Sequence, residues 1–311
     1  FAQYGQRVLA VQIGAPVQKY DLASSSLFSD LAGSPPQARH VGLVRDFIVL
    51  GNTTTSPNEL VWSGFNDSEG WSPGTNQSDT QTLQGGGWIQ GIVGGEVGYI
   101  FQERAITRMT YVGPPAYFQF DLLEENRGLA APASLVKIGA LMFFYDQDGF
   151  YVKAGDAPSV SIGNMKVDKW FAEHLAGDTF TYITAGFDPI NKLVFWSFVS
   201  TDATNTSRPD TLLIYNWAAA EWSYGKIDHE MLYPGFTEGW TLEQVGAAYP
   251  DLDVDVPVSL DSRVWTGGSA YLAGFSTDHQ LANLGGANLA ALVQTGSMEP
   301  IPGRRSIINN I

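Results

Sequence analysis

The sequence predicts an all-β fold: a β-propeller-like array of about five to six blades with short helical insertions. Three observations predict it. Short β-branched and aromatic runs dominate, Gly, Pro, Asn and Asp punctuate them, and the runs recur in blocks of about 45 residues, the size of a propeller blade. Charged residues are only 16% of the chain, too few for long solvated helices, while 34 Gly and 16 Pro suit tight turns. Hydrophobic residues at 44% are enough to bury a substantial core.

Strand-like runs lie at 7–13, 40–50, 59–63, 88–93, 97–102, 106–112, 117–120, 135–145, 149–153, 180–187, 192–199 and 211–217. Four more follow at 264–266, 269–275, 281–284 and 289–294. Asp146-Gln-Asp-Gly149 reads as a hairpin turn with Gly149 free to take positive φ, and Asp188-Pro-Ile-Asn191 reads as a second. Helix is expected in two places. One is Asp168 to Leu175 with Asp168 as N-cap, and the other begins at Thr241-Leu-Glu-Gln244, which has capping-box spacing. Ala218 to Ala220 reads as a turn.

The repeat is faint. Asn58-Glu-Leu-Val-Trp-Ser63 is echoed by Asn191-Lys-Leu-Val-Phe-Trp-Ser197, with Trp62 and Trp196 134 residues apart. Blade-like blocks begin near His40, Leu83, Ser134, Thr179 and Arg263, with a fragment before Asp30. The organisation expected is a single propeller-like domain over residues 1–311 with an inter-blade insertion at 228–262. The most loop-like segment is Asp67 to Gly87.

Charge and chemistry narrow the function classes. A net charge of −15 repels phosphate backbones, so tight nucleic-acid binding is not expected, although DNA sliding past without sticking is compatible. With no cysteine there are no disulfides or thiolate metal sites. The opening Phe-Ala-Gln-Tyr reads as a processed or truncated start rather than a signal peptide, and no apolar run approaches bilayer length. Sequons begin at Asn52, Asn66, Asn76 and Asn205 and read as chance products of turn-rich sequence.

No catalytic, cofactor or metal site is assigned from the residues. His40, His174, His229 and His279 form no metal-ligand spacing and accompany no nucleophile elbow. Asp146-Gln-Asp148-Gly149 has the alternating carboxylates of a calcium loop but lacks its distal Glu, so the turn reading is preferred. Gly85-Gly-Gly87 and Gly94-Gly95 open no helix and carry no Lys-Ser/Thr, so they read as turns. Asp251, Asp253 and Asp255 form an acidic stripe, read first as a solvated loop or edge and, if the chain lines a DNA conduit, as conduit-facing. Of the nine tryptophans, Trp62, Trp71, Trp196, Trp217 and Trp222 are expected to pack between sheets.

Several runs carry a family resemblance. These are Asp46-Phe-Ile-Val-Leu-Gly-Asn52, Val61-Trp-Ser-Gly-Phe-Asn-Asp67, Trp71-Ser-Pro73, Gly91-Ile-Val-Gly-Gly95 and Phe101-Gln-Glu-Arg-Ala-Ile-Thr-Arg-Met-Thr-Tyr-Val-Gly-Pro-Pro115. Phe118-Gln-Phe-Asp121, Arg127-Gly128, Asp148-Gly-Phe-Tyr151, Ile162-Gly163, Lys166-Val-Asp168 and Trp170-Phe171 continue them, and Pro302-Gly-Arg-Arg305 closes the stretch. Together they resemble phage and prophage virion proteins, similar to the tail hub or nozzle (tail tubular, DNA-stabilisation) components of P22-like and T7-like podophages. The resemblance implies a non-enzymatic structural subunit of the virion, made in the bacterial host cytoplasm. It implies a homo-oligomeric ring, commonly a hexamer, below the portal and adaptor, anchoring tail fibres or a needle and letting genomic DNA pass. It supplies no catalytic residues and no cofactor. The alternative is a propeller tail protein that binds carbohydrate as a receptor or cleaves it as a glycoside hydrolase.

Overall fold

The chain is seen in a computed structural model whose described residues are 1–177, 179–236, 239–249, 265, 267–268 and 270–283. It is a six-bladed β-propeller, nearly all β, with two short α-helices among the described residues. Each blade is an antiparallel meander in which sequence neighbours pair. Blade 1 is β1 (Ala2–Tyr4), β2 (Arg7–Ala10), β3 (Gln18–Asp21) and β4 (Ser29–Asp30). Blade 2 is β5 (Ala38–Val44), β6 (Phe47–Thr53), β7 (Glu59–Trp62) and β8 (Asp79–Thr82). Blade 3 is β9 (Ile89–Val93), β10 (Val97–Gln102), β11 (Ala105–Gly113) and β12 (Tyr117–Glu125). Blade 4 is β13 (Val136–Ile138), β14 (Leu141–Asp146), β15 (Gly149–Ala154) and β16 (Val160–Ser161). Blade 5 is β17 (Thr184–Asp188), β18 (Leu193–Phe198), β19 (Thr211–Asn216) and β20 (Glu221–Lys226). Blade 6 shows β21 (Met231–Phe236), β22 (Ala270–Phe275) and β23 (Leu281–Asn283).

The burial of each strand follows from its place in the blade. Second strands are walled on both faces by neighbouring blades, so β6, β14 and β18 read as nearly unbroken apolar runs and are buried almost throughout. Outermost strands such as β8, β16 and β20 are polar and largely exposed. The strand period of two then divides each buried strand between two interfaces. Ile48 and Leu50 pack toward blade 1 with Leu9 and Val17, while Phe47 and Val49 pack toward blade 3 with Ile100 and Met109. Met142 and Phe144 likewise face Phe101 and Ile106, while Phe143 and Tyr145 face Trp196 and Leu213. Phe195 and Leu212 meet Leu232 and Leu272 of blade 6. Five apolar layers thus fill the five junctions between consecutive blades. Burying such aromatic and branched side chains contributes roughly 1.5–3 kcal/mol each.

Several expectations are met and several corrected. Hairpins form at both predicted turns, with Asp146 opposite Gly149 and Asp188 opposite Leu193, and Gly149 takes φ 147°. The Thr241 capping box is present at α2 (Leu242–Ala248), where Thr241 Oγ1 accepts from the Gln244 amide at 3.3 Å and Gln244 Oε1 accepts from the Thr241 amide at 2.8 Å. The helix α1 spans Lys166–His174, so Asp168 lies inside its first turn rather than at the N-cap. From there its carboxylate accepts from the Met165 amide at 2.9 Å and reaches across to the Phe150 amide at 3.0 Å. The run at 40–50 is not one strand but a hairpin that turns at Arg45-Asp46, with Arg45 at φ 51°.

The expected inter-blade insertion at 228–262 is also corrected. Met231–Phe236 pairs with Ala270–Phe275, so the long segment lies inside blade 6, between its first and second strands. Pro234-Gly235 hid the first of these strands, because Pro breaks a strand reading unless it lies on an edge strand, as β21 does. The last blade therefore begins at Met231, and Arg263 falls outside the described residues. The echo between Trp62 and Trp196 joins non-equivalent positions, the third strand of blade 2 and the second strand of blade 5.

Candidate functional site

Charged groups clamp neighbouring blades together. Arg7 of blade 1 donates from Nη1 to Ser68 Oγ at 2.8 Å and Glu69 Oε1 at 2.9 Å in the Ser63–Ser78 loop of blade 2, while its Nε holds Asp21 at 2.7 Å. Lys19 adds a second cation to Glu69 at 2.8 Å, and these partners hold the Glu69 carboxyl below its usual range. The Asp67 to Gly87 stretch, the most loop-like in the sequence, is thus tied down, with Trp71 buried and its indole donating to Ser68 O at 2.9 Å. Between blades 3 and 4, Arg108 bridges Asp121 at 2.8 Å and Asp156 at 2.5 Å. Lys153, fully buried, donates to Glu124 Oε1 at 2.6 Å and Ala157 O at 2.7 Å.

The candidate calcium loop is occupied by a side chain. Arg127 Nη1 donates to Asp146 Oδ2 at 2.9 Å and Asp148 Oδ1 at 2.7 Å, and its guanidinium lies 3.7 Å from the Tyr151 ring centre. Burial raises the Asp146 carboxyl, opposed by the Gln147 and Gly128 amides and by Arg127. Among the described residues, no group of three or more His, Cys, Asp or Glu side chains is placed to hold a metal ion. Asp251, Asp253 and Asp255 lie outside the described residues.

Among the described residues, one serine–histidine pair is in hydrogen-bond contact. Ser197 Oγ lies 2.6 Å from His229 Nε2, and His229 Nδ1 lies 2.8 Å from Ile227 O. With Nδ1–H donating to that carbonyl, Nε2 is left to accept from Ser197. Neither side chain reaches solvent, and burial pulls the imidazole pKa down, so the pair pins blade 5 to the chain entering blade 6. His40 Nε2 is buried without a hydrogen-bond partner among the described residues.

Three surface features stand out. First, blade 1 presents Phe1, Leu22, Leu27 and Phe28 to solvent, with Leu27 78% exposed and Phe28 edge-on to Phe1 at 6.4 Å. Second, the triple-glycine turn does not open a helix, but it borders a cleft of about 310 Å³ lined by Gln84, Gly86, Arg104, Leu122, Glu125 and Asn126.

Third, a two-lobed cleft lies between α1 and β20. The strand period places Trp222, Tyr224 and Lys226 on one face of β20. The helix period stacks Trp170 on His174, ring centres 4.3 Å apart, and Trp170 meets Tyr224 at 5.0 Å. These two rings border both lobes. A lobe of about 110 Å³ is completed by His174, Phe198, Ser200, Asp202, Thr211 and Lys226. A wider lobe of about 280 Å³ is completed by Lys166, Val167, Leu213, Trp222 and Ser223. The sequence reading missed this cleft, because β20 (Glu-Trp-Ser-Tyr-Gly-Lys) lacks the β-branched content that marks a strand. Its alternation of Trp222, Tyr224 and Lys226 was the available signal. Of the five tryptophans expected between sheets, Trp62, Trp71 and Trp196 are buried, and Trp217 and Trp222 pack partly buried against the blade 4–5 core.

No family model matches the chain, and a search of curated proteins finds no match. Solved structures are similar to it at low identity. The dihydro-heme d1 dehydrogenase NirN in complex with DHE is similar at TM-score 0.45 and 10% identity, over 89% of this chain and 50% of that one. The extracellular domain of a putative one-component system from B. thetaiotaomicron is similar at TM-score 0.39 and 12% identity, over 63% of this chain and 25% of that one. The Synechocystis apocarotenoid oxygenase is similar at TM-score 0.39 and 11% identity, over 88% of this chain and 65% of that one. The chain spans between a quarter and about two thirds of the length of these proteins.

Proposed function

We propose that this chain is a structural assembly subunit of a short-tailed phage tail, a nozzle or hub ring that extends the DNA conduit below the portal and adaptor. The observation that carries the assembly half of this reading is the exposed apolar face of blade 1. Phe1, Leu22, Leu27 and Phe28 are each exposed, with Phe1 edge-on to Phe28, and exposed apolar side chains in contact on a folded surface suit an interaction site. Clamped blades give such a subunit the stiffness a ring needs. The net charge of −15, multiplied by copy number, suits a conduit from which DNA must slide free. The phage half rests on the family resemblance of the sequence runs. In this reading the subunit is made in the host cytoplasm, resides in the virion, and contacts itself, the portal or adaptor, and fibre or needle proteins.

The test is sedimentation and electron microscopy of the purified chain, alone and in tail particles. A closed ring of identical copies is expected, and Leu27→Glu, at an exposed position, converts it to folded monomers. A chain that stays monomeric at all concentrations and is absent from particles overturns the proposal.

A further inference from the structure

The cleft between α1 and β20 has a lining that assembly of a ring does not require. Its shared wall is aromatic: Trp170, braced by His174, and Tyr224, which is 57% exposed. Its smaller lobe has a polar floor and rim. Thr211 lines that lobe at 2% exposure, and its Oγ1 has no hydrogen-bond partner among the described residues. A buried hydroxyl left unpaired costs on the order of 1–3 kcal/mol, so it favours any ligand that brings a polar group to it. At the rim Asp202 and Lys226 sit 3.1 Å apart, both more than half exposed and both able to turn toward a ligand.

We propose that this cleft binds a pyranose unit of an oligosaccharide. A pyranose is the ligand whose two surfaces match the two kinds of lining. Its ring face carries C–H groups that lie on an aromatic ring. Its edge carries vicinal hydroxyls that a carboxylate accepts, an ammonium donates to, and a lone hydroxyl such as Thr211 completes. The polar lobe takes the sugar ring against Tyr224 and Trp170. The wider lobe, walled by Trp222, Leu213 and Val167 with Lys166 at its mouth, takes the less polar face of the adjoining unit. A proline-rich peptide also seeks aromatic grooves. Its prolines bring carbonyl acceptors but no N–H for the Asp202 carboxylate, whereas sugar hydroxyls serve Asp202, Lys226 and Thr211 alike, so the lining favours the polyol. The inference stands apart from the ring assembly reading, because blade 1 carries that reading and blade 5 carries this one.

The experiment is titration of the purified chain with methyl glucopyranoside, methyl galactopyranoside and maltohexaose. Binding is followed by tryptophan fluorescence and by saturation transfer from protein to sugar protons, with a proline-rich peptide as the competing probe. At least one sugar binds and quenches tryptophan emission. Tyr224→Ala, at an exposed position, removes the binding while leaving the unfolding midpoint nearly unchanged. Thr211→Val weakens binding about tenfold, the value of one hydrogen bond, while holding or raising stability because it deletes an unpaired buried hydroxyl. A purely structural role for Thr211 cannot give that pair of results. The proposal is overturned if none of the three sugars binds, if binding survives Tyr224→Ala, or if only the peptide binds.

Discussion

His40 lies on the innermost strand of blade 2, where its Nε2 is buried without a hydrogen-bond partner among the described residues. Burial, aided by neighbouring Arg39, pulls its pKa down to about 4 from 6.5. In the unfolded chain the ring takes up a proton near pH 6.5, and in the folded chain only near 4. Protonation therefore favours unfolding, so stability is full above pH 6.5, declines as pH falls through the window, and levels below about 4. Across that window the loss is about 3 kcal/mol. His229, also pulled down by burial, adds in the same direction. Urea midpoints at about pH 7 and about pH 4.5 should lie closer together in His40→Leu than in the parent. Equal spacing in the two proteins would mean that His40 does not carry this dependence.

At the scale of the strand, Gly94 shows how closely two blades approach. Gly95 N donates to Leu43 O at 2.9 Å and Arg45 N to Gly95 O at 2.8 Å, a short parallel bridge from blade 3 to blade 2. A Cβ on Gly94 would stand 2.0 Å from Leu43 O, so a side chain there must part the bridge. Gly94→Ala is expected to destabilise by about 2–4 kcal/mol, overpacking together with lost backbone bonds. Gly225→Ala, with nothing within 4 Å of the new atom, should stay within about 0.5 kcal/mol of the parent. Denaturant melts showing equal effects would remove the close approach as the reason for glycine at position 94. The sequence reading placed a turn at Gly94-Gly95 but had no means to see this contact, which joins strands of different blades. The same limit decided what else was legible. Buried second strands such as Leu193-Val-Phe-Trp-Ser-Phe198 announce themselves by continuous apolarity. Outer strands such as β20 are set by pairing with β19 rather than by their own residues, so the cleft built on β20 stayed hidden.

In the whole molecule, cohesion is shared between blades rather than held within them, since each buried strand contributes alternate side chains to two interfaces. The blade count was readable because apolar runs recur; the clamps were not, because their partners lie far apart in sequence, as Lys153 and Glu124 do. Lys153 Nζ is fully buried against Glu124 Oε1, which also accepts from the Ser159 amide at 3.1 Å and hydroxyl at 2.8 Å. Removing only the cation leaves a carboxylate short of its main partner in a mostly dry junction, at a cost of about 3–5 kcal/mol. Lys153→Met should therefore lower the urea midpoint sharply while leaving the slope of the transition unchanged, because blades 3 and 4 still unfold with the rest. Lys153→Met combined with Glu124→Leu should recover most of that loss, since an apolar pair of similar volume needs no desolvation of charge. A double-mutant cycle reads the difference directly. If the two losses simply add, the ion pair is not the clamp. If the slope splits into two transitions, blades 3 and 4 are held together by it and little else.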